Sequence, residues 1–186
     1  MRNQEFIASY WTLAGNVVPL GKPEQEASRI ELNERLKVAA EEGYSGIGLI
    51  SSDLNKIREN LSLSEIKAMF EDYGMRYLEL EFLVGWLADG DELLESERVF
   101  SGMLEVADQL NVRHIKVGPD MNAKDWPLER MVDRFSRLCE RAKSVGTTIS
   151  LEMMPWSNLK DLESTLSVIT TADCQNGGLL LDIWHV

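Results

Sequence analysis

A chain of 186 residues is long enough for one domain with a sizeable core, and its 44% hydrophobic and 27% charged content is ordinary for a globular protein. The formal net charge of −12 argues against a nucleic-acid-binding protein, which needs a basic surface to contact phosphates. No stretch has the roughly 18 apolar residues of a membrane helix, and the start of the chain lacks the apolar run of a secretory signal. We therefore expect a cytoplasmic protein with a small-molecule or metal-linked role.

The two cysteines are far apart in the sequence and form no C-x-x-C pair. Cys139 lies within a helical pattern, and Cys174 lies in a polar loop. We predict two reduced thiols, as is usual in a cytosolic protein.

Short apolar runs alternate with longer segments of helical periodicity from the start of the chain. The first half predicts a helix at 61–74 that is capped by Ser62 or Ser64 and ends at Gly74. It also predicts a helix at 28–42 and strands at 5–13, 43–50 and 75–83. The second half predicts helices at 96–111, 128–146 and 161–173 and strands at 112–119, 147–155 and 177–185.

Strict alternation of strands and helices predicts a parallel α/β sheet, either a doubly wound open sheet or a (βα)8 barrel. The turn after the first strand contains no G-x-G-x-x-G, which disfavours the open dinucleotide-binding sheet. Polar residues end several strands, as barrel active sites require. We therefore predict a single (βα)8 TIM barrel domain over residues 1–186, with only about six of its eight strands present.

Six strands do not close a barrel of ordinary shear, and open sheet edges invite association. We therefore expect the gene to encode further carboxyl-terminal sequence, or a partner chain to cover the edges. A homo-oligomer is the expected assembly. A truncated, non-catalytic barrel that serves as a binding or oligomerisation module is an alternative interpretation.

Two acidic residues lie near the ends of the fifth and sixth predicted strands. Alternation along the fifth strand places Ser150, Glu152 and Met154 on one face, and Asp182 holds the equivalent position on the next strand. Neighbouring strands lie about 4.8 Å apart, so two carboxylates at matching depth repel each other unless a cation lies between them. With His185 nearby, this set suits Mn²⁺, Mg²⁺ or Co²⁺ ahead of Zn²⁺.

The segments LEMMPW and LLLDIWH, about thirty residues apart, resemble the xylose-isomerase-like TIM barrels. The resemblance implies that Glu152 and Asp182 bind a divalent metal and that Glu152 also acts as a general base. It implies that His185 contacts the substrate, as in the epimerases, or zinc, as in the endonucleases. The family's His after strand seven and Glu after strand eight have no counterpart in the chain.

Further site candidates lie on other strands and beyond them. Glu81 is expected to hydrogen-bond the substrate or a neighbouring strand end, and Lys116 to pair with Glu81 or Glu152 or bind an anionic group. Trp11, Trp86 and Trp156 follow or end strands near the expected mouth of the barrel. Trp156 is the best candidate for an aromatic wall against a sugar.

The resemblance implies a metal-dependent isomerase or epimerase that acts on a sugar, sugar phosphate or polyol through an enediolate. A dehydratase of the same superfamily, acting on an inosose or a hydroxy-carbonyl compound, is the nearest alternative. An endonuclease-like zinc cluster needs more histidines than His114 and His185, and an acidic chain disfavours it. The expected partner is a small carbohydrate-like molecule.

Overall fold

A computed structural model describes residues 5–19 and 21–185. Residues 1–4, which belong to the segment considered for a secretory signal, and Val186, which closes the LLLDIWHV segment, lie outside the described residues. The fold is α/β with six parallel strands, and it divides into two compact units. The first unit comprises the chain up to Glu81 together with Gln109–Arg113, and the second comprises Phe82–Asp108 and the chain from His114.

The first unit contains strands β1 and β2 and most of β3. They are β1 (Ile7–Ala8), β2 (Gly46–Ile50) and β3 (Tyr77–Leu83). All pair in parallel, with Ile7 opposite Gly46 and Ile50 opposite Glu81. The described residues of this unit form the helices α1 (Tyr10–Leu13), α2 (Pro23–Glu26), α3 (Leu32–Glu41), α4 (Ser51–Arg58) and α5 (Leu63–Asp72).

The predicted cap of α5 is confirmed. The backbone N–H of Glu65 donates to Ser62 Oγ at 3.3 Å, and Ser62 N donates to Glu65 Oε2 at 2.8 Å, which forms a capping box. Gly74 follows the helix with φ of +66°, a left-handed conformation that a glycine adopts without strain. Local sequence therefore defines both ends of this helix.

Two predictions in this half of the chain are wrong. The strand predicted over 5–13 ends at Ala8, and Tyr10–Leu13 forms a short helix instead. The segment Ser51–Arg58, for which no helix was predicted, forms α4 directly after β2. Its first three residues, Ser51 to Asp53, are polar. Asp53 accepts a buried hydrogen bond from Arg35 Nη1 at 2.8 Å.

The second unit contains β5 (Thr148–Glu152) and β6 (Gly177–Leu180). It also contains β4 (Val112–Val117), except for the first two residues of that strand. It also contains α6 (Gly90–Gln109, except its last residue), α7 (Leu128–Ser144), α8 (Leu162–Ala172) and a 3-10 helix (Ile183–His185). The sixth strand is therefore shorter than predicted, because residues after Leu180 leave the strand and turn. None of the helices among the described residues has both the length and the apolar character of a membrane span.

The close approach of α7 to β6 depends on a glycine. A Cβ atom at Gly177 would lie 2.8 Å from the Phe135 ring and 2.9 Å from Cys139 Sγ. Phe135 and Cys139 both belong to the buried face of α7. The absence of a side chain at Gly177 therefore lets this helix pack directly on the start of the strand.

The first unit contains a buried ion pair that joins α3 to α4. Arg35 Nη1 lies 2.8 Å from Asp53 Oδ2, and the two side chains are 3% and 1% exposed. Asp53 Oδ1 accepts a hydrogen bond from Ser28 N at 2.9 Å, so both carboxylate oxygens are engaged. Removal of either partner would leave the other charge buried without compensation.

We expect Asp53→Ala to lower the free energy of unfolding by about 3–5 kcal/mol, because the Arg35 guanidinium loses its buried counter-charge. Urea unfolding followed by circular dichroism measures this change. Glu41→Ala is the matched control, since Glu41 pairs with Lys37 at 3.9 Å with both side chains more than half exposed. The control should change the free energy by about 0.5 kcal/mol or less. Equal effects of the two variants would contradict the prediction.

Both cysteines are free thiols, as predicted. Burial raises the pKa of the Cys139 thiol to about 12, with the nearby Cys174 as a further cause. Since only the thiolate reacts, Cys139 should resist iodoacetamide at pH 8 while the half-buried Cys174 is modified. Mass spectrometry should find one labelled cysteine in the native chain and two in guanidinium. Rapid native labelling of Cys139 would contradict this expectation.

Candidate functional site

The strands of the second unit have one apolar and one polar face. Residues that share a register level in a parallel sheet point to the same side, and Lys116 is opposite Ser150. Glu152 lies two residues further along β5, so it points to the same side as Lys116. The opposite face carries residues with no measurable exposure, namely Ile115, Val117, Ile149 and Leu151. Lys116 and Glu152 therefore lie on the same face of the sheet.

Glu152 ends β5, opposite Leu180 at the end of β6. Its carboxylate is buried, with 8% of the residue exposed. Asp182 follows two residues after β6, so the carboxyl ends of two adjacent parallel strands bring these acids to one place. The prediction that Asp182 holds the position equivalent to Glu152 is wrong, because Leu180 holds it and Asp182 lies two residues further on, in the turn after β6.

The D-x-x-H segment forms a tight turn. His185 N donates to the Asp182 carbonyl at 3.0 Å, and Trp184 N donates to Asp182 Oδ1 at 2.9 Å. In such a 3-10 turn the residues at i and i+3 lie on the same side, which directs Asp182 and His185 toward each other. The motif spacing therefore has a geometric cause.

Glu152, Asp182 and His185 form a compact cluster. One potential ligand atom from each lies within 4.8 Å of the others. His185 Nδ1 lies 3.5 Å from Glu152 Oε1 and 2.9 Å from the Met153 carbonyl oxygen. The cluster combines two carboxylates and an imidazole, the donor types that divalent cations bind in proteins.

Trp156 lies beside this cluster. Its ring centroid is 5.0 Å from that of His185, and the two ring planes meet at 87°. The residue is 56% exposed, so most of its indole is not core material. Trp86, by contrast, is buried and donates from Nε1 to the Gly118 carbonyl at 2.6 Å. Of these two tryptophans, Trp156 is the one at the cluster.

Glu81 belongs to the first unit and has a clear structural partner there. Its Oε1 accepts the backbone N–H of Tyr10 at 3.0 Å, at the start of α1 and just beyond β1. A Cβ at Gly48 would lie 2.9 Å from this oxygen, so the glycine in β2 makes room for the carboxylate. This hydrogen bond reaches the residue that begins α1 after β1, a strand that β2 separates from β3.

Loops in the second unit are held by side-chain hydrogen bonds. Arg130 Nη2 donates to the Leu87 carbonyl at 2.7 Å, and Trp126 Nε1 donates to Asp120 Oδ2 at 2.6 Å. The Arg130 guanidinium carbon lies 4.2 Å from the centroid of the Trp126 ring, so the two contacts reinforce each other. These contacts give the loops after β3 and β4 a defined conformation.

Sequence reasoning did not identify the Met153 carbonyl as part of the cluster. A backbone acceptor carries no residue-type signal. The only usable clue was position, because Met153 directly follows Glu152 at the strand end.

The model of the xylose isomerase-like TIM barrel family matches residues 36–186. The chain therefore belongs to this family, and its six parallel strands form part of such a barrel. No curated protein matches the chain in sequence.

Several solved structures share the fold. The IOLI protein with a bound zinc atom has 22% identity and a TM-score of 0.79 over 98% of this chain and 64% of its own. D-psicose 3-epimerase from Clostridium cellulolyticum H10, solved with D-tagatose, has 15% identity and a TM-score of 0.73, with 98% and 64% covered. The probable 3-DHS dehydratase AsbF from Bacillus anthracis has 17% identity and a TM-score of 0.74, with the same coverage. The chain thus spans less than two thirds of each.

Proposed function

We propose that the chain carries part of the active site of a divalent-metal-dependent isomerase or epimerase acting on a sugar, sugar phosphate or polyol. The observation that carries this proposal is the convergence of Glu152, Asp182 and His185 within 4.8 Å at the ends of two adjacent strands. Membership of a family that includes solved epimerase and dehydratase structures supports the class of reaction.

Glu152 and Asp182 are the proposed metal ligands. Burial of the Glu152 carboxylate next to a second acid is costly unless a cation compensates both charges. Asp182 Oδ1 accepts the Trp184 N–H, which helps to orient the carboxylate. A divalent ion bound here supplies a Lewis acid that polarises a substrate carbonyl. We propose Mn²⁺, Mg²⁺ or Co²⁺ ahead of Zn²⁺, although the IOLI structure contains zinc.

Glu152 is the proposed general base. An isomerase or epimerase removes a proton from a carbon next to a carbonyl and returns a proton to the resulting enediolate. The Glu152 carboxylate lies at the cluster, and only 8% of the residue is exposed to water. His185 and Trp156 are proposed to contact the substrate from the same side.

Lys116 and Glu81 are proposed as further substrate contacts. Lys116 is 8% exposed and points to the same side of the second unit as Glu152, where an ammonium group would attract a phosphate or an enediolate oxygen. Glu81 is 5% exposed in the first unit and is proposed to hydrogen-bond a hydroxyl group of the substrate.

A dehydratase is the second candidate, supported by the fold shared with AsbF. The same proton abstraction by Glu152 leads to loss of water when a hydroxyl group sits on the next carbon. The two activities differ in product, since only dehydration yields a conjugated, ultraviolet-absorbing carbonyl compound. We also propose a cytoplasmic location, a single domain and a homo-oligomeric assembly.

Metal binding tests the proposed ligands directly. Titration calorimetry with Mn²⁺ should detect about one ion per chain. Glu152→Gln and Asp182→Asn should each weaken Mn²⁺ binding by more than about 100-fold. Mutation of a residue that only hydrogen-bonds a ligand lowers metal affinity by about 10–100-fold, and loss of the ligand itself costs more. Glu163→Gln, an exposed acid at the start of α8, is the matched control and should bind as the wild type does. Unchanged binding in both site variants would exclude the proposed ligands.

Proton exchange tests the proposed reaction. The Mn²⁺-loaded chain is incubated in D₂O with ketoses, inososes and hydroxy acids. Proton NMR should detect deuterium incorporation at the carbon next to the carbonyl group of a substrate. Glu152→Gln should slow this exchange by about 10²–10⁴-fold, the usual contribution of a general base. An increase in ultraviolet absorbance would favour the dehydratase instead. Metal binding without turnover of any compound would contradict both and favour the non-catalytic module.

A further inference from the structure

A cavity of about 370 Å³ lies in the first unit, between the amino end of α3 and α4. Its lining residues come from two segments of the chain, 28–35 and 53–61. The lining residues of α4 share one face of that helix, because Lys56 and Ile57 lie three and four positions after Asp53. The cavity is therefore formed by the facing surfaces of two helices.

The guanidinium group of Arg35, which lines this cavity, has a donor without a partner. Arg35 is 3% exposed, and its Nη1 donates to Asp53 Oδ2 at 2.8 Å. Its Nε is buried and has no hydrogen-bond acceptor among the described residues. A buried donor without an acceptor is rare in native proteins, so this one points to an acceptor from outside the chain, either water or a ligand.

The acidic residues of the lining do not supply this acceptor. Both carboxylate oxygens of Asp53 are engaged, Oδ2 with Arg35 and Oδ1 with the backbone N–H of Ser28 at 2.9 Å. Glu31 is exposed, so solvent screens its charge. The acceptor capacity of Asp53 is therefore used within the chain, whereas Arg35 has donors to spare.

Further donors surround the cavity. Lys56 Nζ donates to the Ser28 carbonyl at 2.7 Å, and an ammonium group has three N–H bonds in all. Helix α3 begins at Leu32, and its N-cap residue Glu31 makes no side-chain cap. The positive end of the helix dipole and its first N–H groups thus lie where Glu31 and Leu32 line the cavity. Together these groups favour an anionic ligand.

The rest of the lining includes apolar side chains. They belong to Ile30, Ile57 and Leu61. The volume of the cavity falls within the range of about 300–1,000 Å³ that is usual for small-molecule sites. A ligand that fills the cavity therefore carries an apolar part next to its charged group.

We propose that this cavity binds a small organic anion in which a carboxylate or phosphate group is joined to a short apolar chain. The anionic group contacts Arg35 and Lys56 near the first turn of α3, and the apolar chain lies against Ile30, Ile57 and Leu61. Carboxylate and phosphate groups both match the planar guanidinium group with parallel N–H···O bonds. The site is formed by the first unit alone, so it does not depend on the proposed reaction.

NMR of the full chain labelled with ¹⁵N tests the site. Butyrate, butyl phosphate and the neutral 1-butanol are titrated in turn at constant ionic strength. The backbone N–H signal of Leu32 and the Nε–H signal of Arg35 should shift and saturate with at least one of the two anions. The anion that binds more tightly identifies the preferred group, and 1-butanol should bind at least about 10-fold more weakly than that anion.

Two outcomes of these titrations would overturn the proposal. One is the absence of a saturable shift with either anion, which is expected if water alone is the acceptor for Arg35. The other is equal affinity for 1-butanol and the anions, which would show that no charged group is recognised.

A pair of lysine variants tests the contact with the anion. Lys56→Gln should weaken binding of the preferred anion by about 10-fold or more, because a charge-assisted hydrogen bond is lost. Lys37→Gln on α3 is the matched control, since Lys37 does not line the cavity and pairs only with the exposed Glu41. Arg35 is kept, because its removal would leave the buried Asp53 without a counter-charge. Equal affinities of the two variants, both folded by circular dichroism, would overturn the proposal.

Discussion

The free-energy cost of burying charged groups on one face of a parallel sheet determines where those groups and their partners lie in this protein. In the second unit the strands place apolar residues such as Ile149 and Leu151 on one face and Lys116 and Glu152 on the other. Moving a carboxylate or an ammonium group out of water costs several kcal/mol, so each such group needs a partner of opposite charge or a hydrogen bond. The strand ends are where those partners collect, because loops and backbone groups are available there.

A short local turn places two of the three cluster residues, Asp182 and His185, close together. The Asp182 carboxylate and carbonyl bind the next residues of the D-x-x-H segment, so the turn is stable within its own sequence. The side chain of His185 then reaches the end of the neighbouring strand. The cluster therefore combines one local element with one long-range contact, and neither would form it alone.

The accuracy of the sequence-based predictions varied with the range of the contacts involved. The helix after Ser62 was located correctly, because its cap and its closing Gly74 are local signals. The helix Tyr10–Leu13 was predicted as a strand, since its residues have high strand propensity but its first N–H is bound by Glu81, 71 positions away. The sixth strand was predicted over 177–185 but ends at Leu180, so Asp182 lies beyond it in the turn that leads to His185.

The sequence by itself determined the alternation of strands and helices, the side of β5 on which Glu152 lies and the turn between Asp182 and His185. These features depend on periodicity and on contacts over a few residues, which residue type and spacing encode. Only the tertiary structure decided that His185 binds the Met153 carbonyl and that Glu81 binds Tyr10 N. Those bonds join distant parts of the chain through backbone groups, and every residue has the same backbone, so no residue type announces them.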